Sequence, residues 1–237
     1  MITLEKKIKL NEFINNFTQI LVLSTRAFME VKNNKKEIKV FYKEENEKFT
    51  TLDWNIQKII ETHLNKHYSG IKIIGEEDTT KELSENSLEE FLSIEEKSKL
   101  NIIEEGFIEK EKNEYKLEDL CVYCDPIDGT SSLIKKQYEH TTILLGLTYK
   151  NSPILGLVHY FNYKNKETRT FMNVPGKGIY SLNIPQEEFT KSEITNFKFE
   201  KENLNKKEKM SFVVTATREN PTMTKSKLIY LLYSFFF

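Results

Sequence analysis

The sequence predicts an α+β chain in which helices pack on an antiparallel sheet. Two stretches near the amino end, 4–32 and about 51–67, repeat apolar residues at helical spacing. The runs TTILLGLTY (141–149) and ILGLVHYF (154–161) flank the short KNSP and read as an antiparallel hairpin. Three more runs, LCVYC (120–124), ETRTFMNV (167–174) and GKGIYSLN (176–183), read as strands.

The elements follow in order. In 4–32, Leu10, Phe13, Ile14, Phe17, Leu21 and Phe28 mark one apolar face of a helix. Residues 38–50 are polar and charged and predict a loop or a short hairpin. Thr50 and Thr51 are candidate caps for a second helix striped by Leu52, Ile56, Ile59, Ile60 and Leu64. IKIIGEED (71–78) is a short strand running into Gly and acids. An acidic, lysine-rich tract from 79 to 119, with a helical piece at 87–100, is long for a connection and predicts an insertion or a lid. After DPIDGT, SSLIKKQ opens a helix. Pro185 to Met210 is rich in Lys, Glu and Asn and predicts a linker or surface loop, and SFVVTATREN (211–220) is a last strand.

Composition narrows the function. The chain has 237 residues, 38% hydrophobic and 30% charged, enough for a substantial core. Its net charge of -1 gives no basic field for nucleic acid or anionic membrane. The amino end lacks a basic-then-apolar leader, and no apolar run approaches the roughly 20 residues that span a bilayer. Two cysteines, Cys121 and Cys124, exclude a disulfide framework, so a cytoplasmic, reducing location is expected.

The stretch YCDPIDGTSSL (123–133) carries the chemistry. Asp125 and Asp128 sit on a tight turn with Pro126 and Gly129, so both carboxylates and the Ile127 carbonyl can point to one side. Clustered hard oxygen ligands suit Mg²⁺, and a cation relieves the repulsion between two adjacent acids. The following Gly129, Thr130 and Ser131 offer N–H groups and hydroxyls at a helix start, a place for phosphate. Glu76 or Glu77 reaches the same cluster if GEED ends the neighbouring strand, and Asp53 adds an acid from the second helix.

GEED, then DPIDGT, then a hairpin, then PGKGIY, resembles the lithium-sensitive, magnesium-dependent phosphatase family that includes inositol monophosphatases. The resemblance covers roughly Leu10 to Asn220 and is nearest to the 3'(2'),5'-bisphosphate nucleotidases. It implies the αβαβα sandwich of that family, with the site at the strand ends. It implies Glu76, Asp125, the Ile127 carbonyl and Asp128 as metal ligands, and Asp53 with Thr130 as the catalytic pair that orients and deprotonates water. Gly129, Thr130 and Ser131 match phosphate-holding backbone, and Thr217 matches a nucleotide-contacting threonine. The implied cofactor is Mg²⁺ at two or three sites. The implied partner is a small phosphorylated substrate: first 3'-phosphoadenosine 5'-phosphate, then an inositol phosphate such as the 1,4-bisphosphate.

The sequence also departs from the family. Asn220 stands where the nucleotidases have histidine. The third metal aspartate of a Trp-Asp motif has no counterpart, since Trp54 precedes Asn55 and no aspartate follows Asp128. The expectation is therefore a phosphatase domain over 1–184, a charged linker over 185–210 and the opening of a truncated second domain over 211–237. An inactive fragment or binding module is the alternative, and completion by another chain is a third. The oligomeric state is left open.

Other features have structural readings. Cys121 and Cys124 lie three apart on a strand and face opposite sides, so they pack rather than share a metal. His63 and His67 are at i and i+4, but His63 falls on the apolar stripe, which predicts packing or surface rather than zinc. Asp53 doubles as a first-turn acid favoured by the helix dipole. Glu77 is left between site acid and solvated loop acid, whereas Asp78 is expected to be solvated. The tail LIYLLYSFFF is read as a cut-off helix or an aggregation-prone segment.

Overall fold

A computed structural model describes residues 6–43, 47–80, 99–100, 114–195 and 197–202. The elements in chain order are β1 (Lys7–Lys9), α1 (Leu10–Lys32), β2 (Val40–Tyr42), β3 (Lys48–Thr50), α2 (Thr51–His67), β4 (Lys72–Gly75), β5 (Lys99–Leu100) and β6 (Glu114–Lys116). They continue with β7 (Leu120–Asp128), α3 (Thr130–Ile134), β8 (Thr142–Tyr149), β9 (Ser152–Tyr163), β10 (Glu167–Val174), β11 (Gly178–Pro185), β12 (Glu193–Ile194) and β13 (Glu200–Lys201). The 87–100 helical piece apart from its last two residues, the 211–220 strand with Thr217 and Asn220, and the aromatic tail lie outside the described residues.

Seven strands form the main sheet in the order β13-β11-β10-β9-β8-β7-β4. Its neighbours are antiparallel, as expected, with one refinement: β4 runs parallel to β7, Gly75 opposite Cys124. A parallel pair needs a long crossover, and residues 76–119 provide the length.

The sequence differs from its expected elements in three places. The first helix starts at Leu10, not residue 4, because Lys7–Lys9 pairs antiparallel with β6 and buries only Ile8 of its three side chains. That alternation has the strand period of two. Second, α1 is buried on most sides: besides its apolar stripe, Asn16, Thr18, Ser24, Thr25 and Arg26 are all buried. Third, the described residues after Pro185, expected as a linker or surface loop, are anchored at intervals between exposed positions. Gln186, Phe189, Ile194 and Phe199 are buried. Arg26 donates to the carbonyls of Phe189 (3.0 Å) and Lys191 (2.7 Å). The 38–50 region forms the hairpin β2–β3, with Phe41 stacked on its cross-strand partner Phe49 at 5.1 Å.

Helix α1 is fastened to the sheet by a directed hydrogen-bond chain. Thr25 Oγ1 donates to Leu21 O (2.7 Å), so it accepts from His159 Nε2 (2.9 Å). His159 Nδ1 then accepts from Thr170 Oγ1 (2.8 Å), which fixes the neutral Nε2–H tautomer. Phe28 stacks on Phe161 beside this chain, centroids 4.7 Å apart. On α2, His63 Nε2 donates to Asn16 Oδ1 (2.8 Å) and the His67 ring stacks on His63 at 4.4 Å, so the pair serves packing. Both cysteines are free and buried. Among the described residues no helix is long and apolar enough to cross a membrane.

Candidate active site

The site is built where β4 and β7 end and α2 and α3 begin. The expected tight turn at Asp125–Asp128 is instead the end of strand β7, broken by a bulge. Asp125 pairs with Leu144 and Asp128 with Thr142, so three steps along β7 match two along β8. Residues three apart in a regular strand face opposite sides. The extra residue cancels that half-turn, and Asp125 and Asp128 emerge on the same face. Pro126 is tolerated because a bulge needs no ladder bond from it. Cys121 and Cys124 lie before the bulge, where the register is regular.

Glu76 follows directly from the parallel register. Its N–H donates to Cys124 O at 3.1 Å, which sets it beside Asp125. Burial pushes the Asp125 carboxyl well up, and the negative charges of Glu76 and Asp128 push it further. Burial likewise raises Glu76 and Asp128. A hydrogen bond between the Asp125 and Glu76 side chains raises Asp125 further and offsets part of the rise at Glu76. Thr142 Oγ1 donates to Asp128 Oδ2 (3.4 Å).

Asp53 is buried in the first turn of α2, 1% exposed. Its Oδ2 accepts from Thr50 N (3.0 Å) and Thr50 Oγ1 (2.5 Å), while Thr50 Oγ1 accepts from Leu52 N (3.2 Å), completing a capping box. Asp53 Oδ1 accepts from Thr130 Oγ1 at 2.8 Å. The Ile127 carbonyl lies 3.1 Å from the same hydroxyl. The structure thus brings Asp53, Ile127 and Thr130 together through hydrogen bonds. Burial raises the Asp53 carboxyl despite these bonds.

Gly129 sits at φ +93°, a left-handed conformation that starts α3. A Cβ there would lie 2.3 Å from His140 O. The Gly129, Thr130 and Ser131 N–H groups open this short helix, where no intrahelical carbonyl is available to them.

Two acids and a lysine complete the surroundings. Glu77 is buried and paired with Lys43 Nζ at 2.7 Å, and burial pushes its carboxyl up to about 7. It is therefore not a solvated loop acid, whereas Asp78 is exposed as expected. Lys43 also lies 3.8 Å from Glu76. Sequence reasoning passed over Lys43, which is one cation in a lysine-rich hairpin, and Thr142, whose register becomes visible only once the bulge is known.

Among the described residues no group of three or more His, Cys, Asp or Glu side chains could hold a metal ion as it stands. The donor chemistry nevertheless fits a hard cation. Three buried carboxylates and a carbonyl supply oxygen alone.

Helices on a largely antiparallel sheet define an α+β fold, and solved structures share it. An IMPase/NADP phosphatase complexed with NADP and Ca²⁺ aligns with TM-score 0.51 at 16% identity, over 74% of this chain and 53% of that one. A Ca-bound IMPase family protein from Staphylococcus aureus aligns with TM-score 0.50 at 17% identity, over 73% and 51%. The chain belongs to the inositol monophosphatase family, whose model matches residues 13–233. The 3'(2'),5'-bisphosphate nucleotidase 1 of Rattus norvegicus is 28% identical over 143 residues, 58% of this chain and 44% of the relative. The chain thus spans less than half the length of that curated relative.

Proposed function

We propose that the chain is a Mg²⁺-dependent phosphomonoesterase whose substrate is 3'-phosphoadenosine 5'-phosphate, losing its 3'-phosphate. The observation that carries this reading is the β7 bulge, which sets Asp125 and Asp128 on one face beside Glu76 while Asp53 holds the Thr130 hydroxyl. Glu76, Asp125, the Ile127 carbonyl and Asp128 would hold the ion. Bound Mg²⁺ would stabilise charge on the phosphoryl group and leaving oxygen.

The remaining work falls to the chain's own residues. Thr130 Oγ1 donates its hydrogen bond to Asp53 Oδ1, so its lone pairs are left to accept a hydrogen bond from an attacking water. Asp53, raised by burial, is suited to take up the proton passed through Thr130. Gly129, Thr130 and Ser131 present N–H groups to the phosphate. Thr217 is proposed as a nucleotide contact by resemblance alone. The choice of nucleotide over inositol phosphate rests on the similarity to the rat nucleotidase. Calcium in the two solved relatives is in keeping with a divalent-ion site.

A second reading has its own observation: within these 237 residues no aspartate follows Asp128. On that reading the chain binds Mg²⁺ and phosphate without turnover. Phosphate release by the purified chain with Mg²⁺, offered the nucleotide and inositol 1,4-bisphosphate separately, decides between them. Release lost in Asp125→Asn supports the enzyme, and the preferred substrate names the subfamily. A folded chain releasing no more than the variant supports the binding module.

A further inference from the structure

Among the described residues β4 is the last strand of the sheet, with β7 as its one strand neighbour. A side chain pairs with the backbone just past its end. Gln57 is 1% exposed on α2. Its Nε2 donates to Glu77 O (2.6 Å), and its Oε1 accepts from Glu77 N (2.9 Å). This two-bond exchange is what a hydrogen-bonded antiparallel pair makes. The amide closes on the strand because Gly75 has no Cβ, and one built there would lie 2.1 Å from Gln57 Nε2.

The same helix face carries two more contacts. Asp53, Gln57 and Glu61 are spaced i, i+4, i+8, which stacks them along one face. Asp53 holds Thr130, and Glu61 accepts from Thr79 Oγ1 (2.8 and 2.7 Å to its two oxygens) and from Gln57 Nε2 (3.1 Å). Glu61 also lies 3.8 Å from Lys58. Helix α2 therefore fixes the spacing of three segments: α3, the end of β4 and the start of the insertion. Glu76 lies between two clamped points, its own N–H on Cys124 O and the next residue on Gln57.

We propose that Gln57 is a positioning residue for the metal-binding acids: by clamping the Glu77 backbone, it holds the Glu76 carboxylate against Asp125. The inference rests on the phosphatase reading for what Glu76 does. Gln57 itself touches neither substrate nor ion.

The test uses the full 237-residue chain with Gln57→Leu and Gln57→Glu. Two midpoints are measured: the Mg²⁺ concentration giving half the maximal rise in Tm, and that giving half-maximal phosphate release. Both are expected to rise about tenfold or more in Gln57→Leu, the effect typical of losing a partner that orients a ligand. Gln57→Glu keeps the bond from Glu77 N–H, so its shift is expected to be smaller. KM at saturating Mg²⁺ should stay within about threefold, because the substrate's own contacts are intact. A lower metal-free Tm with unchanged Mg²⁺ midpoints overturns the inference, as does failure of both variants to fold. If the parent chain responds to Mg²⁺ yet releases no phosphate, only the phosphatase reading fails, and the Tm midpoints still judge Gln57. A parent chain whose Tm ignores Mg²⁺ overturns both.

Discussion

Thr130 Oγ1 lies 2.8 Å from Asp53 Oδ1, joining the start of α3 to the start of α2 across 77 residues of sequence. The same carboxylate caps α2 through Thr50. One buried acid therefore fixes a helix end and polarises a hydroxyl.

Asp53→Asn separates these two roles by size. An amide replaces one acceptor oxygen, so either the cap or the Thr130 bond is lost. The cap is worth about 1 kcal/mol, whereas removing a proton acceptor from the reacting hydroxyl is expected to slow phosphate release by about 10²- to 10⁴-fold. Thermal melts and initial rates on one preparation check both. A rate within tenfold of the parent would remove Asp53 from the proposed catalytic pair.

Gly129→Ala should be costly at a single backbone position. The φ of +93° is strained for alanine, and the added Cβ meets the backbone carbonyl of His140, which cannot swing aside like a side chain. The expected loss is about 2 kcal/mol or more, read as a lower midpoint in urea unfolding.

The buried histidines set an acid limit. Burial holds His159 and His63 down at about 3, while an unfolded histidine titrates near 6.5. Between those values the unfolded chain binds the extra proton. The contribution of each is therefore complete above about pH 6.5 and is lost as pH falls toward 3. For His159 the full span is on the order of 3–5 kcal/mol. Urea midpoints at pH 7.5, 6 and 5 should fall in the parent and fall less in His159→Gln. Parallel pH profiles would show that burial does not lower His159 in the fold.

Much of this was legible in the sequence, because periodicity reports a burial pattern directly. The helical stripe on α2, the hairpin β8–β9 and the acids of DPIDGT needed no tertiary knowledge. What escaped depends on pairing. A bulge adds one residue on β7 relative to β8, and nothing in DPID distinguishes it from a turn. Whether Glu77 is solvated depends on Lys43, which reaches it from a separate hairpin. Gln57 reads as the polar side of a helix until the edge of β4 arrives beside it. Even the residues after Pro185, Lys- and Glu-rich as a linker would be, pack because buried Arg26 donates to two of their carbonyls.

The acid cluster should make the metal-free chain less stable than a variant with less charge. Burial raises the carboxyls of Glu76, Asp125 and Asp128, and the charges of Glu76 and Asp128 raise Asp125 further, so ionising the cluster costs more in the fold than in the unfolded chain. The proposed cation site carries that cost whenever no cation is bound. Asp125→Asn removes the carboxyl whose ionisation the fold opposes most while keeping its shape. With chelator at neutral pH, its Tm is expected to exceed the parent's by roughly 2–4 °C, about 1 kcal/mol for a chain of this size. Added Mg²⁺ should reverse the order, raising the parent's Tm and leaving the variant's nearly unchanged, because only the parent keeps the charge that binds the ion. A variant less stable than the parent in chelator would mean that Asp125 is held by hydrogen bonds, such as that from Ile127 N–H at 3.1 Å, that outweigh the repulsion.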